Sequence, residues 1–268
     1  MDSFYITLPS TASMDIYPNN AVSHYTTRLQ KPLELDGKWG VGLCEVSLPM
    51  KLMNVETNSQ IRLVIDETDD QHRKHYFRSN LRPGFYESAR QLIKEMNLAW
   101  KRLKKKLPDH LKNTNYSSDI FVYDDVDNEV RLKENAPEKV DVSESLALML
   151  GIGEGKKSWE RITFDRSVNS RPVNMNAKVP HIYLYTDIVQ YVPVGHTLAP
   201  LLRIIPVDSY IGNNRQEYFT KIYQKPHYIP VARQYIEKID IDLRNELGEY
   251  VPFVGGKSIV KLHFQRMK

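Results

Sequence analysis

His181–Val207 reads HIYLYTDIVQYVPVGHTLAPLLRIIPV, and this stretch decides the fold class. Two runs rich in Ile, Val, Leu and Tyr, Ile182–Val189 and Leu198–Val207, flank Tyr191–Pro200, which Pro193, Gly195 and Pro200 interrupt. Such runs bounded by Pro and Gly predict strands joined by a firm loop. In the first run Ile182, Leu184 and Ile188 point one way, and Tyr183, Tyr185 and Val189 the other. Apolar side chains on both faces predict a strand covered on both sides, as in the middle of a packed sandwich.

Outward from this stretch, the flanking sequence keeps the two-residue period. Ser3–Leu8 alternates up to Pro9-Ser10, and Val22–Leu35 leads through Asp36-Gly37 into Trp39–Pro49 as a hairpin partner. Within that partner Val41, Leu43 and Glu45 fall on one side and Gly42, Cys44, Val46 and Leu48 on the other, which places Cys44 in the core as a small side chain. Further on, Ile162–Phe164, Tyr218–Tyr223, Tyr235–Arg244 and Ser258–Gln265 read as strands. Ile239, Ile241 and Leu243 face inward in one of them, and Val260, Leu262 and Phe264 in another.

Between these parts the period changes. Ile61–Asp66 and His75–Arg78 still bracket an acidic turn, Asp66–Asp70. From Phe85 to Leu107, however, Leu92, Met96, Ala99, Trp100, Leu103 and Leu107 recur at helical spacing until Pro108. Ile120–Tyr123 and Glu129–Leu132 form another hairpin, and Ser143–Leu150 a short helix closed by Gly151. The expectation is an all-β sandwich from residues 1–82 and 158–268, with an inserted α+β helix–hairpin–helix subdomain at 83–157. Its small core would gather Leu92, Met96, Trp100, Phe121, Leu146 and Leu150.

The 268 residues allow one large β domain carrying such an insertion. A hydrophobic share of 41% and a charged share of 26% are those of an ordinary globular protein, and the longest apolar run, Leu146–Ile152, is far short of a membrane span. Cys44 is the only cysteine, so no intrachain disulfide forms, which fits a reducing compartment. The N-terminus lacks the basic start and apolar core of a signal peptide.

No catalytic constellation emerges. Gly255-Gly256-Lys257-Ser258 resembles the end of a phosphate loop, but Val251 stands where the first glycine belongs and a strand follows, so a turn is expected. Gly151, Gly153 and Gly155 miss dinucleotide spacing because Lys156 takes the third glycine's place. His72 and His75 lack further ligands to complete a metal set, and Asp125, Asp127 and Glu129 lack the central glycine of a calcium loop. Asp240 and Asp242 share a face with Lys238 and Arg244, as in a solvated charge ladder. No cofactor, metal or catalytic residue is therefore assigned. The one strong charge cluster is Lys101, Arg102, Lys104, Lys105 and Lys106. It reads as the wet face of a packed helix, as a nucleic-acid contact or as a nuclear import segment. A net charge of only +4 argues against appreciable binding to duplex DNA at physiological salt.

Three further groups of residues carry a resemblance: Phe4-Tyr5-Ile6-Thr7-Leu8-Pro9-Ser10, Tyr17-Pro18-Asn19-Asn20, and Gly37 through Glu45 (GKWGVGLCE). With Gly84-Phe85-Tyr86, Thr186-Asp187-Ile188-Val189, Pro200-Leu201-Leu202-Arg203 and Leu262-His263-Phe264, they resemble, in the same order along the chain, the penton (minor capsid) proteins of Polinton or Maverick elements and adintoviruses. The resemblance implies a single jelly roll without catalytic residues. It also implies a homopentamer at the vertex of an icosahedral capsid beside a double jelly-roll major capsid protein, and a place in the virion after synthesis in the host cytoplasm, with assembly there or in the nucleus. A jelly-roll module binding carbohydrate or a receptor is the alternative, since one fold hosts many functions. A sandwich glycosidase is disfavoured for want of a carboxylate pair.

Overall fold

The computed structural model describes residues 2–66, 74–109, 115–137, 139–152, 163–165, 171–207 and 217–267. His72, Ile162, Gly153 and Gly155, singled out above, lie outside the described residues. The chain divides into two compact units, one of Met1–Leu52 with Val179–Lys268 and the other of Met53–Lys178.

The first unit begins with β1 (Ser3–Pro9), β2 (His24–Glu34) and β3 (Trp39–Pro49). The second holds β4 (Gln60–Asp66), β5 (Lys74–Asn80), α1 (Ala89–Lys105), β6 (Phe121–Asp124), β7 (Glu129–Leu132), β8 (Lys139–Val142), α2 (Glu144–Met149) and β9 (Thr163–Asp165). The chain then returns to the first unit. There it forms β10 (His181–Thr186), β11 (Val192–Val194), β12 (Thr197–Ala199), β13 (Leu201–Pro206), β14 (Tyr218–Ile222), β15 (Ile229–Pro230), β16 (Tyr235–Arg244) and β17 (Ile259–Arg266).

Two antiparallel four-strand paths make the first unit, β1-β17-β3-β14 and β13-β10-β16-β2, with the short β15 pairing β3 beside the first. Numbered in chain order, the eight long strands of this unit run 1-8-3-6 in one sheet and 5-4-7-2 in the other. That order is the double Greek key of a jelly roll. The two flanks of the sequence interleave within it: Ile6 pairs Leu262, and Tyr25 pairs Ile241. One core lies between the sheets, with Leu8, Leu43, Ile182, Leu184, Ile239, Ile241, Leu262 and Phe264 all buried. Tyr25 sits in that core and donates its hydroxyl to the Leu8 carbonyl at 2.9 Å.

The alternation read from the sequence holds along β16 and β17. On β10 it needs a correction. Ile182 and Leu184 are buried, but Tyr183 and Tyr185 are half-buried and stack on one another with ring centroids 6.5 Å apart. Tyr can line a sheet face and still keep its hydroxyl in water, so an apolar-looking pattern does not require cover on both sides. The loop expected at Tyr191–Pro200 contains the β11–β12 hairpin, with Gly195 at positive φ in its turn.

β3 departs from plain alternation. Lys261 of β17 pairs Glu45, yet the next residue, Leu262, pairs Leu43, so Cys44 is an extra residue on β3. This bulge shifts the phase, and Val41, Leu43, Val46 and Leu48 all face the core. Cys44 is therefore half-buried outside the core rather than packed within it. Its thiol donates to the Lys261 carbonyl at 3.2 Å, and burial raises its pKa, opposed in part by Lys261.

In the second unit the sheet order is β5-β4-β8-β9, with β6–β7 as a separate hairpin. The boundaries at 82/83 and 157/158 read from the sequence are replaced by 52/53 and 178/179. The cause is pairing: Ile61 and Arg62 of β4 bond Val142 and Asp141 of β8. Ile61, Leu63 and Leu81 also share one core with Trp100, Phe121, Leu146 and Leu150. The six residues proposed for the small core all lie in it. Ser88 caps α1 through a hydrogen bond from the Gln91 amide. Buried Asn97 ties the helix to β6, donating to the Phe121 carbonyl while accepting from the Ile120 and Phe121 amides.

Candidate functional site

The basic segment of the sequence is the last turn of α1 and the residue after it. Cations belong there physically, because the last carbonyls of a helix carry partial negative charge. The structure splits the five residues into two sets. Lys101 pairs Asp119 at 2.9 Å, Arg102 pairs Glu95 at 2.7 Å, and Lys104 donates to the Tyr116 carbonyl at 2.7 Å. Lys105 and Lys106 are exposed and, with Arg78, Ser79, Asn80 and Arg102, line a shallow cleft of about 590 Å³. No sequence pattern marks Arg78 as part of this cluster. It lies on β5, the element before the helix, and the packing of α1 on the hairpin brings it to the lysines at the helix's far end.

This arrangement fits a docked, solvated helix face with one cationic hollow beside it. Three of the five cations are engaged with Asp119, Glu95 and Tyr116. Asp125 and Asp127, considered above for calcium, instead meet guanidinium groups, Asp125 that of Arg90 and Asp127 that of Arg131. Lys238 pairs Asp240 at 3.3 Å and Arg244 pairs Asp242 at 3.0 Å, a charge ladder along β16. Gly255 and Gly256 both have positive φ and form a turn into β17. Among the described residues no group of three or more His, Cys, Asp or Glu is placed to hold a metal ion.

The first unit carries a second cluster, on the outer face of the β1–β17–β3 sheet. His263 stacks on Tyr5 at 4.4 Å and shares a 2.7 Å hydrogen bond between its Nδ1 and the Tyr228 hydroxyl. Lys261 lies 5.6 Å from the Tyr5 ring centre and 3.4 Å from Glu45. The loop that delivers Tyr228 crosses Gly42 so closely that a Cβ there would stand 2.8 Å from the His227 carbonyl oxygen.

Burial under these rings holds the His263 pKa below the ordinary histidine value. The unfolded chain takes up that proton near pH 6.5, above the folded value, so between the two values the unfolded state holds more protons. Stability from this group is full above the unfolded pKa and declines as pH falls through it. A His263→Gln variant is therefore expected to lose less stability than the parent between pH 7.5 and 5.5, measured as urea midpoints. Equal losses in both proteins would refute this role for the ring.

A jelly roll whose chain leaves after the third sandwich strand, builds a second unit and returns for the fourth is the class of protein described here. That fold is shared with the mavirus penton protein. The two structures agree with a TM-score of 0.53 at 10% sequence identity, over 99% of this chain and 100% of that one. A structure of the Sputnik virophage gives a TM-score of 0.49 at 10% identity, over 99% and 98% of the respective chains. The likeness is one of fold. No protein-family model and no curated protein sequence matches the chain.

Proposed function

We propose that this chain is a minor capsid protein whose five copies close the vertex of an icosahedral virus-like capsid, beside a double jelly-roll major capsid protein. The observation that carries this reading is the extent of the shared fold. The likeness to a penton protein takes in 99% of the chain, hence both units and not the jelly roll alone. The residue pattern named above points the same way. The protein acts by its surfaces, without catalysis, and resides in the virion after synthesis in the host cytoplasm.

Five copies around one axis need a head-to-tail contact in which one patch meets a different patch of the neighbour and the ring closes by rotation. The β11–β12 hairpin supplies material for such a contact, since Tyr191 and Leu198 are 67% and 66% exposed. Isolated exposed apolar residues of this kind favour a weak contact over a tight one. Light scattering is expected to give mostly the 31.2 kDa chain at low concentration. Five times that mass, with five-fold rings in negative stain, is expected at high concentration or with the major capsid protein. A tight two-fold dimer without any five-fold species would overturn the reading.

A further inference from the structure

The cleft at the end of α1 runs along a strand edge. Among the described residues β5 is the terminal strand of its sheet and has a strand partner on one side only. The register shows which groups face that side. The Leu81 amide donates to the Ser59 carbonyl at 2.9 Å, toward β4, so the carbonyl of Asn80 faces away. Arg102 reaches that carbonyl at 2.9 Å while held by Glu95 at 2.7 Å, and Glu95 is itself a buried carboxylate that also accepts from the Arg82 amide. A buried acid thus fixes one cation on the edge of β5.

The other cations of the cleft are not so engaged. Among the described residues Arg78, Lys105 and Lys106 have no ion pair, and no carboxylate lines the hollow they share with Ser79 and Asn80. Like charges converging on a concave surface repel one another and concentrate positive potential, which an incoming anion relieves. Lysines on an edge strand also discourage self-pairing. That role needs charges on the strand itself, whereas Lys105 and Lys106 come from the end of α1 and a fourth cation, Arg102, is anchored from behind.

We infer that this cleft docks an extended acidic segment of a partner protein. The segment adds to this edge of β5 through its main chain, alongside the Asn80 carbonyl that Arg102 holds, and sets alternate Asp or Glu side chains against Arg78, Lys105 and Lys106. Alternate side chains of an added strand recur about every 6–7 Å on one face, so a single segment can address cations from both β5 and α1. Nucleic acid is the poorer occupant. Three free cations neutralise few phosphates, and affinity built on few phosphate contacts is lost at physiological salt. The inference stands whether or not the chain forms a capsid vertex.

The test uses the full chain and a fluorescent peptide alternating Asp and Thr, read by anisotropy, with the same peptide N-methylated at alternate residues. Inorganic triphosphate and duplex DNA serve as competitors. The acidic peptide is expected to bind. The combined change Arg78→Glu, Lys105→Glu and Lys106→Glu and the N-methylation are each expected to weaken binding by about tenfold or more. Lys94→Glu, an exposed change on the same helix away from the cleft, should leave binding within about twofold. Circular dichroism establishes that the variants fold. Absence of peptide binding overturns the inference, as does equal binding of the N-methylated peptide. Equal loss with Lys94→Glu overturns it too, and tighter binding of triphosphate or duplex DNA would show a phosphate site instead.

Discussion

Trp100→Ala is expected to lower the stability of the second unit by about 3–5 kcal/mol, the cost of removing a large aromatic side chain from a packed core. Trp100 has no solvent exposure and lies where the apolar stripe of α1 meets the β4–β5 hairpin and β6. Its indole Nε1 donates to the Ser117 carbonyl at 3.0 Å, and the ring meets Tyr116 edge-on at 6.1 Å. The alanine variant therefore leaves a cavity and also a carbonyl without its donor. Whole domains are stable by only about 5–15 kcal/mol, so the loss should appear directly in denaturant titrations. The two units have separate cores, so an early transition from the second unit is expected ahead of the jelly roll. Trp100→Phe, which refills part of the space, should lose less. A midpoint shift worth under about 1 kcal/mol for Trp100→Ala would mean that the core closes over the gap.

The parts of this architecture visible in the sequence are those set by local periodicity. The stripe from Leu92 to Leu107 runs on one face of α1, and Tyr235–Arg244 is a strand over its stated length. The turn at Asp36-Gly37 has the positive φ that its glycine supplies. What the sequence hid was decided by partners distant in the chain. Nothing local says that Ile61 pairs Val142, so local periodicity puts the β4–β5 hairpin with the jelly roll, whereas its core lies with α1. The same holds for the basic cluster: Asp119, Glu95 and Tyr116 determine which of its cations are engaged, and Arg78 joins it only through packing. Polar side chains buried on the apolar side of α1, Glu95 and Asn97, break the hydrophobic pattern because they bond backbone groups of other segments. Such residues look like solvent-facing positions until their partners are known.

Cys44 gives the sharpest case, because its deletion is expected to leave the first unit folded while deletion of Ser47, on the same strand, is expected to cripple it. With the bulge, Val41 and Leu43 on one side of Cys44 and Val46 and Leu48 on the other all point into the core, each 2% exposed or less. Cys44 is the extra residue, since the β17 partners of Leu43 and Glu45, Leu262 and Lys261, are already consecutive. Without it, Leu43 is followed by Glu45 and then Val46, and plain alternation keeps the same four residues inward and Glu45 outward. What is lost is the local twist of the bulge and the thiol's hydrogen bond to the Lys261 carbonyl, at about 1–2 kcal/mol. Deletion of Ser47 has no such escape. With the bulge kept, Leu48 turns outward; with the bulge given up, Leu48 stays inward but Val46 turns out and Glu45 turns in. Exposing either apolar side chain costs about 1.5–3 kcal/mol, and an uncompensated carboxylate in the core costs several kcal/mol more. Soluble expression, near-ultraviolet circular dichroism and urea unfolding of both variants make the comparison. A Ser47 deletion that unfolds cooperatively at the parental midpoint would show that β3 tolerates a change of phase. A Cys44 deletion that fails to fold would mean that the bulge's twist, and not the inward phase of the four side chains, holds this strand in place.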